Sequence, residues 1–325
     1  MPFDVITIGA ATRDVFLQSK AIRIVRDASF STGEGECFAL GSKIEVDNIV
    51  FETGGGATNA AVTFARQGLS VSFAGKIGAA DARGKEILTA LRHEGIHVGH
   101  VALDRKKSTA YSVLLLTTRG ERTVLVYRGA SADVKLSDFP WASMRSRWLY
   151  ISSLAGNVSL LRGIWKYAAQ IGAKIAWDPG VGELQLGRKV LLPLLQQTAI
   201  LHVNQEEAAM LMGLGYEQDE QSFDLLRKHV GGVTIVTGGT EGALAGTADD
   251  SWRSSTHPIR AVDTTGAGDA FTSGFVASYI RTNGNIPKSL QFATANAESV
   301  IRFIGAKQGV LRQRTVRNPA QVTKR

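Results

Sequence analysis

The sequence predicts a three-layer α/β fold. A central, mostly parallel sheet is covered by helices on both faces, and a small antiparallel sheet stands apart from it. Three observations predict this. Short apolar runs alternate with amphipathic helical patterns from Val5 to Phe303. Most of the helical patterns run out at a glycine: Gly68, Gly95, Gly172, Gly213 and Gly231. Three other segments alternate at period two outside that rhythm: Glu45 to Thr53, Thr109 to Thr117 and Arg122 to Tyr127.

Val5 to Gly9 reads as a buried first strand, Asn59 to Gly68 as a helix and Val71 to Ala74 as a strand. Gly84 to Gly95 is a helical pattern with Ile87, Leu88 and Leu91 on one face. Trp148 to Ser152, Lys174 to Asp178, Ala199 to Asn204 and Thr234 to Thr237 are further strands. Val158 to Gly172, Gln205 to Gly213 and Phe223 to Gly231 are helical patterns between or after them. Two long helices, Gly268 to Asn283 and Pro287 to Phe303, finish the core. Ligands of such sheets bind beyond the C-terminal strand ends. The alternating segments are expected to form a lid there, with Thr118-Arg119-Gly120-Glu121 as a hairpin turn. A sheet with open edges and one apolar face is expected to pair with a second copy, giving a homodimer. Ser19 to Ser42 is polar and glycine-bearing and receives no element. Residues 1–310 read as one domain with lid segments at about 14–53 and 105–130, and 311–325 as a basic tail.

The 325 residues, 44% hydrophobic and 20% charged, suit one large buried core. No apolar run approaches the length of a membrane span, and the N-terminus lacks the character of a signal peptide. A single cysteine, Cys37, excludes an internal disulfide and fits the cytosol. The net charge of +8 suggests nucleic acid, but seven basic and no acidic residues follow Glu298. The preceding chain is nearly balanced, and no aromatic-basic stacking pattern accompanies the surplus, so no nucleic-acid partner is expected.

Two motifs carry chemistry. Asp263-Thr264-Thr265-Gly266-Ala267-Gly268-Asp269-Ala270-Phe271 is a glycine-rich turn feeding a helix. Unpaired amides and the positive end of the helix dipole make such a turn a site for anionic phosphate. Asp269 stands beside it, placed to take a proton from a hydroxyl, which implies phosphoryl transfer to an alcohol. Its position at a helix start is expected to lower its pKa, making it a weak base in the ground state. Gly54-Gly55-Gly56-Ala57-Thr58-Asn59 ends a strand and opens a helix. It is either a flexible turn capped by Thr58 or Asn59, or backbone brought close to a hydroxylated ligand.

Together these motifs resemble the two signatures of the ribokinase-like, or PfkB, carbohydrate kinases. Ala60, Ala61, Arg66 and Gly68 extend the first signature, and the run from Phe73 to Gly78, Gly84, Gly95 and Asn204 to Glu207 are similar in order and spacing. The resemblance spans about residues 3–310 and implies a ribokinase-like fold and an ATP- and Mg2+-dependent kinase. It implies Asp269 as catalytic base and Gly266, Ala267 and Gly268 as the anion hole. It implies that Asp14, with Gly55, Gly56 and Asn59, binds the acceptor. It places Thr237, Gly239 and Gly242 in the ATP loop and Asn296 near adenine. Asn204 and Glu207 match the Asn-x-x-Glu motif that orders water around magnesium. Asp263 and Thr265 match positions that often hold a monovalent cation such as K+.

Simpler roles compete with these. Asn204 and Glu207 also form a capping box, Asp14 also suits a loop cap, and Asp263 also suits a turn. His93-Glu94-Gly95-Ile96-His97 fits a zinc-protease string, but Gly95 is expected to end the helix that the string needs. Gly78 to Lys85 has one residue too many for a P-loop, and no Gly-x-Gly-x-x-Gly follows the first strand, which argues against a nicotinamide oxidoreductase. A silent sugar-binding protein would have no use for an intact Asp269. Gly56 stands where kinases of phosphorylated sugars often carry lysine, so the expected acceptor is a free sugar. Asp178-Pro179-Gly180 resembles a stretch of some nucleoside kinases. Arg128 is similar to the arginine with which keto-deoxy sugar acid kinases grip a carboxylate. Nucleosides and sugar acids rank second and third.

Overall fold

The computed structural model describes residues 2–30, 33–117, 122–215 and 218–325. The first half runs β1 (Phe3–Ile8), β2 (Thr12–Gln18), β3 (Arg23–Arg26), β4 (Glu34–Cys37), β5 (Asn48–Gly54), α1 (Gly56–Arg66), β6 (Val71–Ala74), β7 (Lys76–Gly78), α2 (Ala82–His93), β8 (Ala102–Asp104), β9 (Ala110–Leu116) and β10 (Arg122–Tyr127). Short 3-10 turns lead to β11 (Ser146–Ile151), α3 (Val158–Ile171), β12 (Lys174–Trp177), α4 (Val181–Leu184), α5 (Arg188–Leu195), β13 (Ile200–Asn204), α6 (Gln205–Met212), α7 (Asp219–Leu226) and β14 (Val233–Thr237). The chain ends in β15 (Ala243–Gly246), β16 (Ser251–Ser254), α8 (Ala267–Arg281), α9 (Ile286–Val300) and β17 (Val322–Lys324).

The central sheet has the order β17-β16-β15-β14-β13-β12-β11-β1-β6, parallel from β14 to β6 and antiparallel from β14 to β17. Period-two alternation splits its side chains between two cores. Val5, Trp148, Tyr150, Ala176, Ile200 and Ile235 face α1, α2, α8 and α9. Ile6, Ile8, Leu149, Ile151, Trp177, Leu201 and Val236 face the helices between β11 and β14. This is the predicted three-layer arrangement. No helix among the described residues is long and apolar enough to cross a membrane.

The second sheet has the order β10-β9-β2-β5. β5 and β10 lie in two of the alternating segments and β9 in the third. β2 has no counterpart in the sequence reading, and it pairs parallel with β9, so the lid is not purely antiparallel. Ser19 to Ser42 holds the β3–β4 hairpin, with Arg23 opposite Cys37. The Thr118–Glu121 turn lies outside the described residues. The stretch read as a basic tail differs from expectation. Val322–Lys324 adds an edge strand to β16, and Arg325 pairs with Glu220 at 2.9 Å. The three-residue strand is too short to carry a periodic signal.

Candidate active site

The parallel strands end together. The last residues of β13 and β14, Asn204 and Thr237, stand in register, and Asp178 directly follows β12. Two glycine turns converge beyond these ends. Gly55 (φ 95) caps α1 and Gly266 (φ 76) caps α8, both in backbone that favours glycine. Asn59, in the first turn of α1, donates from Nδ2 to Asp269 Oδ2 at 2.7 Å.

The triple glycine is a surface of close approach rather than a flexible turn. A Cβ on Gly54 would overlap Asp14 Oδ2, and one on Gly55 would overlap the Ala10 carbonyl. On Gly56 it would lie 3.0 Å from Asp269 Oδ1. The turn is wedged between two carboxylates. No side chain caps α1; instead Thr58 Oγ1 donates back to the carbonyl of Gly54 at 2.7 Å.

At the start of the fifteen-residue α8, the Ala267 amide donates to the Thr264 carbonyl at 3.2 Å. Among the described residues, the amides of Gly266, Gly268 and Asp269 have no acceptor. The open cradle is therefore Gly266, Gly268 and Asp269, not the expected Gly266–Gly268 run. Its aligned donors suit phosphate oxygens.

Asp269 departs from expectation in its acidity. Burial, then the neighbouring Asp178 carboxylate, push its pKa up to about 6, against the opposing pull of Asn59, His202 and Lys307. The helix start does not win, because desolvation and a like charge act on the same group. Asp178 is held by His202 Nδ1 at 2.7 Å and the Tyr150 hydroxyl at 3.1 Å. The other ring nitrogen of His202 meets Thr237 Oγ1 at 3.1 Å. Burial disfavours the charged ring, but Asp178 overrides it and raises the His202 pKa.

Asp14 lies within β2, buried, rather than in a loop, opposite Glu52 and beside Ser112. Burial raises its pKa while hydrogen bonds from Ser112 and Thr12 oppose the rise. Its Oδ1 and the Oδ1 of Asn59 are buried without a hydrogen-bond partner. Acceptors left open in this way suit the hydroxyls of a ligand.

His202, Tyr150 and Lys307 escaped the sequence reading as site residues, and Asp178 entered it only within Asp178-Pro179-Gly180. Lys307 was counted with the terminal basic surplus. It is buried, and its Nζ donates to the Thr53 carbonyl at 2.6 Å, Thr53 Oγ1 at 3.0 Å and Thr58 Oγ1 at 2.8 Å. Its setting between two glycines, Gly305 and Gly309, was the available signal.

The remaining candidates divide. Asn204 and Glu207 form the capping box, with bonds of 2.8 and 2.9 Å, yet Glu207 Oε1 has no partner among the described residues and suits a water shell around magnesium. No cluster of three or more His, Cys, Asp or Glu among the described residues could hold a metal alone. Gly239 (φ 57) has open space at its Cβ position, which suits a nucleotide, whereas Gly242 (φ 91) is packed on the Ser254 carbonyl. Asp263 is already engaged by protein donors. Its Oδ1 accepts from Thr265 N at 2.9 Å and Thr265 Oγ1 at 2.7 Å, and its Oδ2 accepts from Gly305 N at 2.9 Å. Asn296 is fully buried and bonds Ala270 O at 2.8 Å and Leu311 N at 2.9 Å, so no atom of it faces adenine. Arg128 is exposed at the end of the lid. Gly95 (φ 74) follows the end of α2, and Glu94 pairs with Arg66 at 2.6 Å, so His93 and His97 share no helix.

Known proteins share this architecture. Residues 21–312 match the pfkB family carbohydrate kinase. The chain is 28% identical over 281 residues to Fructokinase-1 of Oryza sativa subsp. japonica, covering 82% of this chain and 84% of the relative. It is 30% identical over 242 residues to the aminoimidazole riboside kinase of Salmonella typhimurium, covering 71% and 74%. In fold it is similar to the Arabidopsis thaliana ribokinase solved with ribose and ATP, at TM-score 0.76 and 22% identity, over 95% and 96% of the two chains.

Proposed function

This chain belongs to the pfkB family of carbohydrate kinases, and from that premise we propose that it transfers the γ-phosphoryl group of ATP to a hydroxyl of a small free sugar. The observation that carries the reading is the 2.7 Å hydrogen bond from Asn59 to Asp269, which joins the two glycine turns at one point.

The acceptor lies with its hydroxyls on Asp14 and Asn59, whose open oxygens are otherwise unpaired. The reacting hydroxyl faces Asp269. Its oxygen bonds to the γ-phosphorus as the bond to the ADP oxygen breaks, and its proton passes to Asp269. The amides of Gly266, Gly268 and Asp269 hold the phosphate oxygens where negative charge gathers. Thr237 and Gly239 border the nucleotide. Asn204 and Glu207 would hold magnesium through water, and the metal would supply neutralisation of phosphate charge. The reading does not depend on a monovalent cation at Asp263 and Thr265, where Asp263 Oδ1 accepts from Thr265 and Oδ2 from the Gly305 amide.

A nucleoside is the second reading, favoured by the similarity to a riboside kinase. A sugar acid is the third reading, resting on Arg128, which is exposed at the end of the lid. The test is ADP release from ATP and magnesium across D-ribose, D-fructose, adenosine, cytidine and 2-keto-3-deoxygluconate. A free sugar is expected to give the highest kcat/KM. Preference for adenosine or cytidine by tenfold or more replaces the sugar with a nucleoside, and no turnover with any of them removes both.

A further inference from the structure

Three consecutive residues, Gly305, Ala306 and Lys307, touch the lid, the start of α1 and the turn before α8. The Gly305 amide donates to Asp263 Oδ2 at 2.9 Å, and its Cα faces Glu52 of the lid so closely that a Cβ would lie 2.9 Å from Glu52 Cγ. Ala306 packs directly on Gly266, the cap of α8. Lys307 spends all three ammonium protons on two threonines that flank the triple glycine: Thr53, at the root of lid strand β5, and Thr58, in the first turn of α1. We propose that Lys307 is a positioning residue of the acceptor site, whose buried ammonium locks the lid root to α1 and serves as counter-charge to Asp14 and Asp269.

A lysine placed only for stability has no reason to sit here, since taking an ammonium out of water is costly and an apolar side chain would fill the space. The charges that face it come from four elements: Asp14 on β2, Glu52 on β5, Arg66 on α1 and Asp269 on α8. Burial lowers its pKa to about 8, and the three carboxylates resist that fall. The ammonium is thus present at neutral pH and lost just above it. When it goes, the lid root loses its tether and both site carboxylates lose a positive neighbour.

The inference rests on the kinase reading for its kinetic consequence but not for its mechanical one, and the test separates the two. Hydrogen–deuterium exchange on the purified full chain needs no substrate. Lys307→Met is expected to raise exchange in residues 53–59 and 263–269 while far-ultraviolet circular dichroism stays unchanged. In the unaltered protein, exchange in the same segments, corrected for intrinsic rates, is expected to rise between pH 7 and 9. With ATP and D-fructose, Lys307→Met is expected to raise the KM for fructose about tenfold with a smaller change in the KM for ATP, and to move the acid limb of kcat/KM upward. Lys307→Arg, which keeps the charge, is expected to restore part of the acid limb. Unchanged exchange in a folded Lys307→Met protein overturns the proposal even if the enzyme is active. Should that variant not fold, flat exchange in the unaltered protein from pH 7 to 9 overturns it instead. Absence of fructose turnover in the unaltered protein bears only on the acceptor.

Discussion

Asn59 and Asp269, 210 positions apart, share a 2.7 Å hydrogen bond between Nδ2 and Oδ2. The bond fixes the rotamer of the carboxylate and leaves Oδ1 facing Gly56. One oxygen is held and the other lies against Gly56, which has no side chain, an arrangement that suits a base meeting an incoming hydroxyl.

Replacing Asp269 by Asn tests that role. The amide keeps an oxygen for Asn59 and nearly the same volume, so the fold is expected to persist. Turnover is expected to fall by about 10^2–10^4-fold, the usual contribution of a positioned base. Stability is expected to move the other way. The pKa of Asp269 is raised from 3.8 to about 6, so the folded state holds a proton that the unfolded chain releases between those values. The stabilisation from the protonated form is complete below the unfolded pKa and is lost as pH rises through the folded one. At pH 7 the ionised carboxylate is therefore a burden, and Asp269→Asn is expected to be more stable by about 1–3 kcal/mol. Urea unfolding at pH 7 and at pH 4 checks the sign: the gain should shrink at the lower pH.

The same shift predicts an acid limb in kcat/KM near pH 6, with activity rising as Asp269 ionises. Asp178 contributes to the rise as a like charge. Asp178→Asn is expected to move the limb to lower pH, whereas loss of the opposing His202 charge in His202→Gln is expected to move it upward. Opposite displacements measured in one buffer series distinguish an electrostatic role from general damage, which would lower the rate without moving the limb.

What the sequence made legible follows from how local each requirement is. The two glycine turns were readable because φ values of 95 at Gly55 and 76 at Gly266 select glycine from a short window. The parallel strands were readable because burial on both faces demands apolar runs. Lys307 was not readable, and Asp178 was marked only by the resemblance of Asp178-Pro179-Gly180 to a nucleoside-kinase stretch, since the meaning of both lies in neighbours brought together by the fold. Asp269 shows the same limit: the helix start is a local cue, and burial beside Asp178 outweighed it. β2 was hidden by Arg13 and Asp14, which put charge where a strand pattern wants alternation.

Asn296 supplies a contrast between a binding role and a packing role. Its amide bonds Ala270 O on α8, buried, and the Leu311 amide, part-buried. Asn296→Ala leaves the part-buried Leu311 N–H without its acceptor and removes a second donor from the helical Ala270 carbonyl, a loss of about 1–3 kcal/mol. The expected result is a lower unfolding midpoint with an unchanged KM for ATP. A KM for ATP raised tenfold at full stability would return Asn296 to the nucleotide site.

The lid presents an unpaired edge. On β10, Val124, Leu125, Val126 and Tyr127 are all exposed, as are Ile49 and Phe51 on β5. Exposed apolar residues along an open strand favour pairing with another chain. A homodimer through this sheet is expected in sedimentation equilibrium, and Val126→Lys, which places charge on that edge, is expected to shift the protein toward monomer. A monomeric parent protein at micromolar concentration would remove the lid from any interface.

Gly56→Ala isolates the close approach on which the site depends. Gly56 opens α1 and carries ordinary helical backbone, so the substitution introduces no strain in φ. The added methyl would sit 3.0 Å from Asp269 Oδ1 and 3.0 Å from Ser152 Cβ, closer than carbon normally approaches either. Ser152 follows β11 in the core sheet and cannot retreat, so Asp269 must turn. Turning strains or breaks the bond to Asn59 and moves the free oxygen off the line to the acceptor. A displacement of about 1 Å at a reacting group lowers rate by roughly 10^2-fold. The expected result is a folded protein whose kcat falls by about that factor, while its KM for ATP stays near the parent value. Gly56→Ala with unimpaired kcat would mean that Oδ1 of Asp269 is not the atom that receives the proton.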